Sequence, residues 1–172
     1  MRQLESGMLV AVFVLVALLG VTTPVMAQEI FVADMDASAE DPTCFSGGTG
    51  TFTVLINPGE QSMNFQLTYQ NLSPNILFAH IHFGRADQQG GVSTFLCGGG
   101  TKPTPCPPSQ GTTTGTIVAT DISGPANQGI APGEFSKLLT ALRLGFTYAN
   151  VHSTLCPEGE IRGQIDLPEE PR

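Results

Sequence analysis

The stretch Ser62–Gln70, SMNFQLTYQ, sets Met63, Phe65, Leu67 and Tyr69 on one side of an extended chain and Asn64, Gln66 and Thr68 on the other. Alternation sustained over this length marks a β-strand with one buried face. Working outward, IFVADMD (Ile30–Asp36) and TFTVLI (Thr51–Ile56) read as strands before it. ILFAHIHF (Ile76–Phe83), VSTFL (Val92–Leu96), TTGTIVATDI (Thr113–Ile122), YANVHS (Tyr148–Ser153) and EIRGQID (Glu160–Asp166) read as strands after it. The separators NPGEQ, NLSPN, ADQQGG and CPEG are rich in the residues that turns require. One segment departs from the pattern. Between Gly133 and Leu144, the residues Phe135, Leu138, Leu139 and Leu142 recur at helical spacing, and Gly145 stands where a helix C-terminus takes a left-handed residue. Many short strands and one amphipathic helix predict an all-β domain, an antiparallel sandwich or barrel.

The first 27 residues read as an export signal rather than as part of that domain. Arg2 lies in a polar head, Met8 to Val21 is an unbroken run of apolar residues and glycine, and Val25 and Ala27 are the small residues that a signal peptidase reads. Cleavage is expected after Ala27, leaving residues 28–172 as one domain. The apolar run falls short of the roughly 20 residues a membrane span needs, and no cysteine follows the cut to carry a lipid. An uncleaved N-terminal anchor is the alternative. The remaining chain keeps six basic against 14 acidic side chains, so its net charge stays at −8. Such a surface repels phosphate backbones and anionic lipid heads, so neither nucleic acid nor a membrane surface is an expected partner.

Four cysteines, Cys44, Cys97, Cys106 and Cys156, suit disulfides in an exported chain better than a thiolate metal site. Three pairings are open. The Gly/Pro-rich CGGGTKPTPCPP favours Cys97 with Cys106, because it can fold back but cannot form a helix or a central strand. Cys44 is then left for Cys156, a closure expected to stabilise by about 4–5 kcal/mol. No Cys-x-x-Cys is present, so thiol redox chemistry has no support.

All three histidines fall in two of the predicted strands. In ILFAHIHF, Leu77, Ala79, Ile81 and Phe83 share one face, so His80 and His82 share the other with Ile76 and Phe78. In YANVHS, Tyr148, Asn150 and His152 share a face. If these strands are neighbours, three imidazoles converge, and His-x-His with one cross-strand His is a spacing that zinc and copper sites use. Tyr148, Asn150 or Glu160 would then orient the rings. The alternative is a set of partly buried histidines hydrogen-bonded to backbone or to Glu160. Glu160 and Arg162 similarly read either as a solvent-facing ion pair or, with Arg162 near the histidines, as a device that draws in a small anion. Neither a G-x-S-x-G elbow nor a phosphate-binding glycine loop occurs.

HIHFG (His80–Gly84), YANVHS and GEIRGQI (Gly159–Ile165) together resemble the chordin-type domain, CHRD, of the extracellular antagonist chordin and of many exported microbial proteins. The resemblance runs from FVADM near Ile30 to Ile165. It implies an immunoglobulin-like, Greek-key barrel similar to that of Cu,Zn superoxide dismutase. Carried over by motif, His80 and His82 match that enzyme's paired copper histidines, His152 a later copper histidine and Arg162 its anion-guiding arginine. A chain with three histidines cannot assemble the enzyme's binuclear centre. The expectation is therefore a secreted, non-catalytic module binding an extracellular protein or surface ligand, with one copper or zinc ion at His80, His82 and His152. A copper-dependent redox enzyme and a metal-free structural envelope protein are the competing readings.

Overall fold

The computed structural model describes residues 28–169; the expected export signal, residues 1–27, lies outside the described residues. Eight strands and one helix follow in the order β1 (Ile30–Asp36), β2 (Thr49–Ile56), β3 (Ser62–Gln70), β4 (Ile76–Phe83), β5 (Gly91–Cys97), β6 (Gly111–Val118), α1 (Phe135–Arg143), β7 (Thr147–Ser153) and β8 (Ile161–Gln164). All pair antiparallel in one sheet of order β5-β4-β7-β8-β1-β2-β3-β6. The two edge strands, β5 and β6, come into contact, so the sheet nearly closes into a barrel. Across that seam β7, β4, β5 and β6 lie in the order 7-4-5-6, which is a Greek key.

The alternation in SMNFQLTYQ is realised as predicted: Met63, Phe65, Leu67 and Tyr69 are buried, while Asn64, Gln66 and Gln70 face solvent. Partner residues from β2, Phe52, Val54 and Ile56, fill the same interior, as do Phe31, Ala33 and Met35 of β1. Helix α1 contributes Phe135, Leu138, Leu139 and Leu142 to this core, and Gly145 after it takes φ +67°, the left-handed conformation that ends a helix without a Cβ clash. It closes the end where β1 begins and β2 turns into β3: Arg143 bridges Glu29 and Glu60, each with an N–O distance of 2.6 Å.

Two strands end earlier than the sequence reading has them. The segment expected to run to Ile122 stops at Val118, because Asp121 folds back to accept from the Val118 amide at 3.0 Å and pairs with Lys102 at 2.7 Å. The last strand is regular only over Ile161–Gln164, Asp166 making an isolated bridge to Val32. Two disulfides are present, Cys97–Cys106 closing the β5–β6 loop and Cys44–Cys156 tying the β1–β2 connection to the β7–β8 turn. No described helix is long and apolar enough to cross a membrane.

Candidate metal centre

Strands β4 and β7 are neighbours, and on their core side they present Ala79, Ile81, Ala149 and Val151. Period 2 therefore sends His80, His82, Tyr148, Asn150 and His152 outward from the barrel. On an ordinary barrel that face would meet water. Here every residue of β7 is buried, on both faces. Three segments cover it. The β1–β2 connection is fastened by a hydrogen bond from Asn150 Nδ2 to Glu40 Oε1, by the Ser46 hydroxyl donating to Glu160 at 2.8 Å, and by the Cys44–Cys156 bridge. The β4–β5 turn brings the carbonyls of Arg85 and Gln88 to the Arg162 guanidinium, while the Gly90 amide donates to the Tyr148 hydroxyl at 3.0 Å. The β7–β8 turn supplies Pro157.

Under this cover the three histidines are 4%, 8% and 7% exposed in chain order. The register places His152 opposite Phe78 and His80 opposite Asn150, so the third ring reaches the other two along a diagonal. The β4–β5 ladder shifts register beside each of the pair, between Ala79 and His80 and between Ile81 and His82. Ring centroids lie 5.2 Å apart for His80 and His82, 5.1 Å for His80 and His152, and 5.9 Å for His82 and His152. Each residue offers a ring nitrogen within 4.8 Å of the others. A point central to all three then lies roughly 2.8 Å or less from each, against about 2.0–2.1 Å for a zinc–imidazole bond.

Protonation is decided by the partners. His82 Nδ1 meets the Gly90 carbonyl and His152 Nδ1 the Pro157 carbonyl, both at 2.9 Å. A carbonyl only accepts, so both Nδ1 atoms carry the proton and both Nε2 atoms hold a lone pair. Those two Nε2 atoms, and both nitrogens of His80, are buried without a hydrogen-bond partner. Burial, with the neighbouring rings next, pushes His80 down to about 3. Burial likewise takes His82 down to about 4 and lowers His152, in each case against the carbonyl bond that works the other way. All three are neutral imidazoles at pH 7, the form that ligates metals. Gly90 earns its place here: a Cβ on it would lie 2.0 Å from the Phe83 carbonyl oxygen, so a larger residue could not bring this carbonyl to His82.

The hydrogen bonds that orient His82 and His152 thus come from backbone carbonyls rather than from Tyr148, Asn150 or Glu160. Tyr148 stacks flat on His82, with centroids 4.8 Å apart and planes at 4°. Asn150 is spent on Glu40 and the Ile161 carbonyl. Glu160, fully buried, accepts from Ser46 Oγ and the Ser73 amide, both at 2.8 Å. The solvent-facing Glu160–Arg162 pair does not form, because the covering segments reach each residue with a different partner. Arg162 is 2% exposed, its guanidinium 3.5 Å from the centre of the Tyr148 ring, which leaves it almost no surface on which to meet an anion from solvent.

The covering carbonyls of Gly90 and Pro157 and the packing of Phe95 are absent from the sequence reading, which places Phe78 on the histidine face without giving it a role. Phe78 sits 4.8 Å from His80 and 4.7 Å from His152, and Phe95 is edge-on 4.3 Å from His80. The pairing of His82 with a carbonyl across a Gly-Gly turn was detectable only through Gly90 and Gly91 themselves. Comparison with known sequences gives no significant match to a curated protein. A family model described as CHRD domain matches residues 31–165, which takes in all eight strands but for Ile30 at the start of β1, the three histidines and all four cysteines. The chain therefore belongs to the CHRD domain family.

Proposed function

We propose that the chain is exported and works outside the cytoplasm as a binding module that holds one transition-metal ion, copper or zinc, on His80, His82 and His152. One observation carries this reading: three neutral imidazoles meet in a buried space, each offering a ring nitrogen within 4.8 Å of the others and each holding a buried nitrogen without a hydrogen-bond partner. Each buried polar atom left without a partner costs about 1–3 kcal/mol, so the cluster is expensive relative to a total stability of about 5–15 kcal/mol. A bound ion would take one nitrogen from each ring and so satisfy three of the four orphaned atoms at once, whereas packing alone leaves the whole cost in place. The two disulfides support an oxidising compartment.

His80, His82 and His152 would hold the ion, and Gly90 and Pro157 would keep two of the rings in the ligating tautomer. The metal would supply cross-linking of β4 to β7 and a fixed positive charge. A non-catalytic role is favoured over turnover because the ligating nitrogens have next to no accessible surface, which gives a diffusing substrate no approach. The test is thermal unfolding of the chelator-treated protein with and without one equivalent of zinc or copper. Binding to the native state must raise the transition temperature, and His152→Ala must abolish the rise. An unchanged transition with both metals defeats the proposal and leaves a metal-free scaffold.

A further inference from the structure

Zinc and copper make different demands on a site, and the surroundings of the three rings distinguish them. Zinc in closed sites is almost always four-coordinate, and divalent copper favours tetragonal arrangements of four or more donors. Among the described residues no aspartate, glutamate or cysteine joins the three histidines in the cluster. The rings are packed instead by apolar aromatic side chains that offer no ligand atom, with Phe78 against His80 and His152 and Phe95 edge-on to His80. Monovalent copper, a closed-shell ion, is satisfied by three neutral donors in a plane.

Charge points the same way. Neutral imidazoles bring no compensating charge, and the Born cost of burying an ion grows with the square of its charge, roughly fourfold between a monocation and a dication. Arg162 adds a fixed positive charge beside Tyr148, and that charge reaches His82. None of the nearby carboxylates joins the rings as an anionic ligand: Glu40 bonds Asn150, Glu160 bonds Ser46 and Ser73, and Glu158, which acts on His152, is solvent-exposed.

We infer that the three-histidine site selects monovalent copper over divalent zinc and divalent copper. The inference rests on the metal-binding reading above and deepens it. It predicts a module that takes up or stores Cu(I), with the aromatic walls keeping water and oxidants from the ion.

The experiment uses the exported, disulfide-bonded chain stripped of metal. Cu(I), kept reduced with ascorbate under anaerobic conditions, is titrated in competition with bathocuproine disulfonate. Zn(II) is titrated in competition with a chromophoric zinc chelator, and Cu(II) is followed by paramagnetic resonance. The expected result is one Cu(I) per chain, held at least 100-fold more tightly than either divalent ion and lost in His80→Ala. Phe95→His, which places a fourth imidazole on the wall beside His80, is expected to raise zinc affinity tenfold or more while the chain keeps both disulfides. Zinc bound as tightly as Cu(I), or no gain in zinc affinity from Phe95→His, overturns the selectivity and leaves the metal site standing. Failure of all three ions to bind at one equivalent overturns the site as well.

Discussion

Replacing His80 by Gln should flatten the acid side of the stability profile. Burial, together with the neighbouring rings, holds the folded-state pKa of His80 at about 3, whereas the ordinary value is 6.5. As pH falls below 6.5 the unfolded chain takes up a proton on this residue and the folded chain does not. The associated stability is complete above pH 6.5 and declines below it by about 1.4 kcal/mol per pH unit, until the folded form also titrates near pH 3. Between pH 8 and pH 5 the loss amounts to about 2 kcal/mol from His80 alone. Glu40 works in the opposite sense. Desolvation pushes its folded pKa up to about 7, against the pull of Arg162, so the folded chain protonates first and gains stability as pH falls from 7 toward 4.5. The profile of one protein therefore mixes opposing trends, and the informative quantity is the difference between parent and variant. Urea unfolding at pH 8 and pH 5, with chelator present and disulfides intact, should show the pH-dependent loss in His80→Gln smaller than in the parent by about 2 kcal/mol. If the two proteins lose the same stability to within about 0.5 kcal/mol, His80 is not held as a desolvated neutral imidazole and the account of the buried cluster fails.

Removing the Cys44–Cys156 bridge as a Cys44→Ser, Cys156→Ser pair opens a closure of 112 residues and is expected to cost about 4–5 kcal/mol in urea unfolding, a loss below about 1 kcal/mol contradicting the role given to this bridge. Gly163→Ala puts a Cβ 2.2 Å from the Asp34 carbonyl at the β1–β8 seam, where backbone cannot yield as a side chain does. Its cost should fall at the upper end of about 1–3 kcal/mol, and a neutral effect would show that the seam is looser than described. Tyr148→Phe leaves the Gly90 amide without its acceptor, which should lower stability by about 1 kcal/mol. Because the Gly90 carbonyl orients His82, metal affinity in the same variant should drop about tenfold by competitive titration, and unaltered affinity would remove Tyr148 from the support of the site.

Much of the barrel was legible because its inner face obeys one rule. Met63, Phe65, Leu67 and Tyr69 alternate with Asn64, Gln66 and Gln70, which do face water, and Phe52, Val54 and Ile56 alternate with the half-buried Thr53 and Leu55. The helix was equally plain, since Phe135, Leu138, Leu139 and Leu142 share one stripe. Alternation also aligned His80 with His82 and named the strand face of His152. It failed to show that this outer face is buried too. Nothing in the pattern of β7 says that segments distant in sequence, such as the β1–β2 connection with Glu40 and Ser46, will lie over it. Backbone carbonyls carry no residue label, so the atoms that fix the histidine tautomers, on Gly90 and Pro157, were hidden for the same reason. Glu160 and Arg162 looked like a surface pair because two residues at i and i+2 share a strand face. Tertiary cover gave each its own partners instead.

The central claim is that three imidazoles from two strands meet on one ion. X-ray absorption at the metal edge of protein loaded with one equivalent of Cu(I) tests it directly. The account predicts three imidazole nitrogens at about 2.0 Å, with the imidazole scattering pattern reduced in His152→Ala. A first shell of two or fewer imidazoles, or a spectrum unchanged by that substitution, would contradict it.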